Sequence, residues 1–339
     1  MRTIQWNAEN STVRMIDQTL LPVEYREIEC ENLAQLCEAI KSLRVRGAPA
    51  LAAAGAYGIA LASKLSSAND MESLLEDLKN AARIILATRP TAINLGWGVH
   101  RVIKAVSEAY DTAGIRDIAL NEAQAIADED VQINKTLGKH GASLLEDGDT
   151  VMTHCNAGRL ACVDWGTALG VVRSAVEQGK DINVIACETR PLNQGGRLTT
   201  WELMQDNIPV KLISDSMSGY VMRHELVDKV IVGADRVTED AVFNKIGTYN
   251  HAIVAMEHEI PFYVAAPAST FDFKGWEDSV KIEERDPDEL RYMQGVQIAP
   301  EDVPVINPAF DSTPMEYIEA IITERGIFRP PFLIDEVRT

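Results

Sequence analysis

Apolar and polar positions change rhythm twice along this chain. Residues 3–6 and 12–16 flank the polar NAENS and predict the two strands of a small hairpin. From Leu33 the spacing becomes helical, with Leu33, Leu36, Cys37, Ile40 and Leu43 on one face. RVRGAP follows, and its Pro49 suits the first position of a second helix rich in small residues. Met71 to Leu86 is amphipathic, as is much of Gly98 to Gly141, so residues 20–145 read mainly as packed helices. After about Asp147, short apolar runs alternate with helical stretches. The runs are TVMTH at 150–154, INVIAC at 182–187, VKLIS at 210–214, KVIVGAD at 229–235 and FYVAAP at 262–267. Their spacing suits βαβ units, and their unbroken apolar character suits parallel strands covered on both faces. The pattern predicts an α/β chain. A small, mainly helical N-terminal domain with its hairpin spans residues 1–145, and a doubly wound parallel-sheet domain spans 146–339.

Composition narrows the partners. The chain has 339 residues, 46% hydrophobic and 24% charged, which is ample for two cored domains. Its net charge of −19 is spread along the sequence and argues against a nucleic-acid partner, while leaving room for a locally basic pocket. The N-terminal MRTIQWNAENSTVRM lacks the apolar centre of a secretory signal. The longest near-apolar stretch, Ala48 to Ala62, is broken by Pro49, Gly55 and Gly58 and is shorter than the ~20 residues of a membrane span. No membrane partner is expected. The five cysteines (Cys30, Cys37, Cys155, Cys162 and Cys187) form no CxxC pair, which favours reduced thiols and a cytoplasmic location.

The chemistry gathers where the runs end. Cys155-Asn156 follows the first, Glu188-Thr189-Arg190 the second, Asp215-Ser216 the third and Asp235-Arg236 the fourth. In open parallel sheets, ligands bind beyond the carboxyl ends of the strands. Taken alone, Cys155 reads as a small core residue, because free cysteines are often buried. Its context favours a reactive thiol: it follows a strand, and Gly158 permits a tight turn into a helix expected near Leu160. A thiol at a helix N-terminus is more readily ionised. Cys162, inside that expected helix, reads as core. Asp235 reads either as a helix cap or ion-pair partner of Arg236, or as a partly buried general acid–base beside Cys155. The histidines and cysteines show no zinc-ligand spacing, so no metal site is expected. Arg46-Gly47-Ala48-Pro49 opens a helix, where glycine and the helix N-terminus favour an anion. Arg89 and Lys245 add cations just before further helices. With neither GxGxxG nor a Walker-type loop, a dinucleotide or nucleoside triphosphate is not expected.

The blocks RVRGAPA, RPTAINL, THCNAG, ETRPLNQGGRLTTWEL, GADR, NKIGTYN, FYVAAP and VINPAFDSTPMEYIEAIITERG occur in this order. Together they resemble the methylthioribose-1-phosphate isomerase family, from about residue 3 to 335. That family shares a superfamily with ribose-1,5-bisphosphate isomerase and the regulatory subunits of translation initiation factor 2B. The resemblance implies a helical first domain, a Rossmann-like second domain, a homodimer, and neither a metal nor an organic cofactor. It implies catalysis by Cys155 and Asp235, with a phosphosugar bound by Arg46, Gly47, Ala48, Arg89, Gln194, Asn244 and Lys245. Two departures lie near the catalytic pair: RLACVDW after THCNAG, and a short segment without Asn-Gly between GADR and NKIG. Both bear on the pocket for the sugar's C5 substituent. The alternatives are isomerisation of 5-deoxyribose 1-phosphate or ribose 1,5-bisphosphate, or a non-catalytic scaffold like the initiation-factor subunits.

Overall fold

The opening alternation forms β1 (Ile4–Asn7) and β2 (Thr12–Ile16), paired antiparallel. A third strand, β3 (Glu27–Cys30), adds to β2; its sequence EIEC is too charged to stand out as a strand. The computed structural model describes residues 1–90, 92–332 and 337. Thr91 in the RPTAINL block, and residues 333–335 at the end of the family resemblance, lie outside the described residues. Two compact units emerge: Met1–Ile133 with Gly158–Gly166, and Asn134–Ala157 with Thr167 onward.

In the first unit, α1 (Leu33–Lys41) begins at Asn32, whose side chain accepts the Gln35 N–H at 3.0 Å. α2 (Ala48–Leu65) follows, and Pro49 sits in its first turn as expected. Most of α2 is buried, including Ala50, Ala53, Tyr57 and Leu61, so its apolar run makes a core helix. Asp70 caps α3 (Met71–Leu86) by accepting the Ser73 N–H at 2.8 Å. α4 (Ile93–Val106) and the part of α5 (Thr112–Ala142) up to Ile133 complete this unit's helices, the rest of α5 being counted in the second unit.

The second unit is built on parallel strands: β4 (Thr150–Thr153), β5 (Asn183–Cys187), β6 (Val210–Ile213) and β7 (Lys229–Val232). A short pair follows, β8 (Arg236–Val237) and β9 (Ala241–Lys245), then β10 (Phe262–Ala265). After a small hairpin of β11 (Tyr292–Met293) and β12 (Val296–Gln297) come β13 (Phe310–Pro314), β14 (Ala320–Thr323) and β15 (Gly326–Phe328). Among the described residues the main sheet runs β15-β14-β10-β7-β4-β5-β6, with only β15 antiparallel to its neighbour. The parallel part has the 3-2-1-4-5-6 order of a doubly wound fold, whose direction reverses between β4 and β7. Successive residues feed opposite faces. Met152, Ile185, Val230, Val232 and Val264 join one core, while Val151, Val184, Ile231 and Tyr263 join the other. That two-sided burial is why these strands read as continuous apolar runs. The edge strand β6 is more exposed and carries Lys211 outward, which suits an unpaired margin.

One expected element is absent. Instead of a helix from Leu160 there is a single 3-10 turn, Arg159–Ala161, and α6 starts only at Ala168 (Ala168–Glu177). The chain between is a loop, closed by a bridge between Gly158 and Gly166, that belongs to the first unit. There the Thr3 N–H donates to the Val163 carbonyl at 2.8 Å, and Gln18 Nε2 donates to the Leu160 carbonyl at 2.8 Å. Those bonds take backbone groups that a helix would use internally. Cys162 is buried in this loop, as its core reading expects.

The remaining helices are α7 (Thr200–Gln205), α8 (Ser218–Arg223) and α9 (Thr248–Glu257). At the start of α9, Asp311 of β13 accepts the N–H groups of Gly247 at 2.7 Å and Tyr249 at 3.3 Å. Burial pushes the Asp311 carboxyl up from 3.8 to about 6, against the pull of those N–H groups and of Lys245. A raised carboxyl favours the protonated form in the folded chain. Its contribution to stability is therefore full below the unfolded value and lost as pH rises through about 6. Asp311→Asn keeps an acceptor without the charge. The unfolding free energy of this variant, relative to wild type, should rise by roughly 1–3 kcal/mol between about pH 4 and about pH 7 in urea melts. A difference that stays flat across that range would contradict the assignment.

Candidate functional site

Where β4 ends, the backbone turns sharply. Cys155 adopts φ +64°, a left-handed conformation that non-glycine residues rarely take. Two threonine hydroxyls grip it. The Cys155 N–H donates to Thr189 Oγ1 at 2.8 Å, and the Cys155 carbonyl accepts from Thr199 Oγ1 at 2.7 Å. Both threonines are fully buried, Thr189 just beyond β5 and Thr199 at the end of a π-helical turn, Gly195–Thr199. The next residue, Asn156, donates through Nδ2 to Glu202 Oε1 at 2.9 Å, and Glu202 Oε2 accepts from Arg173 at 2.8 Å. Arg173 and Glu202 are buried, so this is an ion pair sealed beneath the turn. The helix expected just after Cys155 is missing. What fixes the thiol's place is the threonine clamp, in an almost closed setting with 8% exposure.

Asp235 follows β7, the strand next to β4 across the switch point. Gly233 stands so close to the Cys155 loop that a Cβ there would lie 2.8 Å from Ala157 Cβ. This glycine lets the two strand ends converge. The Asp235 N–H donates to the Phe243 carbonyl at 2.8 Å, which ties the turn to β9 just before Asn244 and Lys245. Asp235 itself is exposed, not partly buried as expected, because the turn carries it outward past the end of the sheet.

Asn244 is buried and donates to Thr248 Oγ1 at 3.0 Å. Lys245 donates to the Ala309 carbonyl at 2.8 Å and lies 4.6 Å from the Phe310 ring centre. Gln194 opens the π-helical turn beyond β5. Its side-chain oxygen, and that of its neighbour Asn193, are buried with no protein partner. Sequence reasoning missed Asn193, whose only signal is its place in the loop after β5. In the first unit, Arg46, Gly47 and Ala48 open α2 as expected. Gly47 has φ +94°, and a Cβ there would stand 2.4 Å from the Ala161 carbonyl oxygen. Arg89 is half-buried, shortly before α4. The second unit thus carries Cys155, Asp235, Gln194, Asn244 and Lys245; the first carries Arg46, Gly47, Ala48 and Arg89.

The fold also gathers a set that sequence spacing did not suggest. One donor atom each from His154, Cys187, Asp215 and His251 lies within 4.8 Å of the others. His154 donates through Nε2 to the Ile246 carbonyl at 2.8 Å, which leaves its Nδ1 to accept from His251 Nε2 at 3.1 Å. Burial lowers His154 to about 4, and burial followed by the neighbouring His154 lowers His251 to about 3, so both rings are neutral at physiological pH. Burial, with Asp215 and Glu188 nearby, pushes the Cys187 thiol up. Asp215 accepts the N–H groups of Thr189 at 2.8 Å and Arg190 at 2.7 Å. Three of the four lie at or just after strand ends, which is the signal the sequence did hold. His251, on α9, gave none.

Comparison with known proteins places this geometry. The model of the initiation factor 2 subunit family matches residues 44–330. A methylthioribose-1-phosphate isomerase of Acetivibrio thermocellus is 50% identical over 327 residues, covering 95% of this chain and 96% of that protein. The crystal structure of 5-methylthioribose 1-phosphate isomerase from Pyrococcus horikoshii superposes with a TM-score of 0.94 at 42% identity, over 99% of this chain and 95% of that one. A second solved structure, described as translation initiation factor eIF-2B subunit delta from A. fulgidus, gives a TM-score of 0.92 at 56% identity, with 100% of both chains covered. On a family match over most of its length, and on relatives and structures that span it, this chain belongs to the initiation factor 2 subunit family.

Proposed function

We propose that this chain is an aldose–ketose isomerase, converting 5-methylthioribose 1-phosphate to 5-methylthioribulose 1-phosphate in methionine salvage. In this reading it works in the cytoplasm as a homodimer, without an organic cofactor. The observation that carries the proposal is the clamped Cys155 at the switch point, with the Asp235 turn drawn against its loop through Gly233 and Ala157. Full-length relatives named for this activity support it. The unpartnered oxygens of Asn193 and Gln194 suit a ligand rich in hydroxyl donors. Arg46, Gly47, Ala48, Arg89, Asn244 and Lys245 carry the phosphosugar-binding part of the proposal.

The substrate has its anomeric oxygen blocked by phosphate, so no free aldehyde is available for ordinary enediol chemistry. The C1–ring-oxygen bond breaks with the phosphate still on O1, and the ring oxygen takes up a proton to become a hydroxyl. Asp235 moves protons at the sugar oxygens during opening, a role typically worth 10²–10⁴-fold. Hydrogen then passes from C2 to C1, and C2 becomes the carbonyl while the phosphate stays in place. Cys155 stands beside this transfer in a nearly closed setting. It either takes the C2 proton as thiolate or flanks a direct hydride shift. Phosphate binding holds the reacting carbons in register.

A proton NMR time course with 5-methylthioribose 1-phosphate should show conversion to the ribulose phosphate. Parallel samples of 5-deoxyribose 1-phosphate and ribose 1,5-bisphosphate rank the C5 substituent. A second reading, a non-catalytic regulatory subunit, draws on the A. fulgidus neighbour described as translation initiation factor eIF-2B, subunit delta. Silence from all three sugars with folded protein would favour it.

Asp235→Asn should lower kcat by about 10²–10⁴-fold while calorimetry still detects phosphosugar binding. Cys155→Ser should lose turnover comparably; near-wild-type rates would make the thiol structural. In D₂O, deuterium appearing at C1 supports proton abstraction, and its absence supports a hydride shift.

A further inference from the structure

We propose that His154, Cys187, Asp215 and His251 form a tetrahedral site for a divalent transition metal of the zinc class, with a structural role behind the Cys155 turn. This departs from the metal-free protein that the family resemblance implies, and it does not depend on the isomerase reading.

Four separate segments supply the donors: the ends of β4 and β5, the chain after β6, and α9. Sequence spacing could not reveal such a set, since no two donors form a short metal motif. Of the six donor separations in a tetrahedron, two are fixed here: His154 Nδ1 to His251 Nε2 at 3.1 Å, and His154 Nδ1 to Asp215 Oδ1 at 3.8 Å. Metal–nitrogen and metal–oxygen bonds of about 2.0–2.2 Å, and metal–sulfur bonds of about 2.3 Å, require separations of roughly 3.3–3.6 Å. The observed set, all within 4.8 Å, reaches that geometry with side-chain movements of about 1 Å.

The arrangement of lone pairs points to a cation. The Ile246 carbonyl fixes the His154 tautomer, so the Nδ1 lone pair faces inward. The Asp215 oxygen turned toward it is also an acceptor. His251 Nε2 places one hydrogen among these atoms, facing the His154 Nδ1 lone pair. The cluster therefore holds more lone pairs than protons, an arrangement a metal ion resolves.

Charge closes the argument. A divalent ion with one thiolate, one carboxylate and two neutral imidazoles gives a neutral complex, the form least costly to bury. Binding breaks the Cys187 S–H bond, forms a metal–sulfur bond and releases that proton to solvent. The His251 proton moves from Nε2 to Nδ1. Outer partners already exist, with the Ile246 carbonyl on His154 and the Thr189 and Arg190 N–H groups on Asp215. A soft sulfur beside two nitrogens and one oxygen selects zinc-class ions over magnesium or calcium. Four protein ligands leave no open position, which makes the site structural.

The test uses the full chain, stripped with a chelator and titrated with cobalt(II), whose spectrum reports geometry. One equivalent should bind, with intense tetrahedral visible bands and a thiolate-to-cobalt charge-transfer band in the near ultraviolet. Cys187→Ser should lose the charge-transfer band. Cys155→Ser should keep it, because its thiol is not a ligand. If Cys187→Ser fails to fold, His251→Gln serves instead and should weaken cobalt binding at least about 10-fold with unchanged circular dichroism. Chelation of the zinc-loaded protein should also lower its Tm. No tetrahedral spectrum in wild type, or a charge-transfer band that survives Cys187→Ser or follows Cys155, would overturn the proposal.

Discussion

The second unit's site depends on one backbone conformation, the left-handed turn at Cys155. Holding a non-glycine residue there costs on the order of 1–3 kcal/mol. Each hydroxyl bond that grips it contributes about 0.5–1.5 kcal/mol net. The bonds from Thr189 and Thr199 together are thus about the size needed to offset the strain. A turn so closely balanced holds only in a rigid, dry frame. The two fully buried threonines and the parallel sheet beneath them supply that frame.

The frame has its own internal conflict. Arg173 and Glu202 are buried as charges, and removing such groups from water costs several kcal/mol per ion. Packed apolar residues would stabilise the fold as well or better. What the pair does that a leucine could not is present a directed oxygen to Asn156. Glu202 has one oxygen on Arg173 and the other on Asn156, beside the bond from Asn156 to Thr199 Oγ1 at 3.3 Å. Thr199 in turn donates to Cys155. The buried charges therefore specify where the thiol turn stands rather than adding to stability.

Much of this was legible in the sequence, and what escaped has physical reasons. β4, β5, β7 and β10 announced themselves, because two-sided burial leaves an unbroken apolar run. β14, equally buried, escaped because its four residues AIIT stand between the charged YIE and ERG. β9 and β13 escaped because their small antiparallel sheet mixes buried and half-buried residues, and the polar NK of β9 reads as loop. The helix expected after Cys155 failed because RLACVD has helical composition while its backbone bonds go to Thr3, Gln18 and Asp130. Local propensity could not register partners from so far along the chain. Cys155 and Asp235 could be named because polar residues after apolar strands stand out. The threonine clamp could not, since Thr189 and Thr199 look like ordinary loop and helix residues until the fold brings both hydroxyls to one peptide.

Thr189 joins the two chemistries of the second unit. Its hydroxyl accepts the Cys155 N–H, and its own N–H donates to Asp215. Its backbone is also left-handed, at φ +66°, so it has little freedom to serve one neighbour without the other. His154 is the residue before Cys155 and is locked to Ile246. Any shift in the cluster of His154, Cys187, Asp215 and His251 thus reaches the thiol by two short routes, through the hydrogen bonds of Thr189 and through the peptide between residues 154 and 155. That coupling gives the cluster a reason to be rigid. It also explains why so many polar atoms are buried beneath a single cysteine: they set the position of a backbone turn, and the turn sets the position of the sulfur.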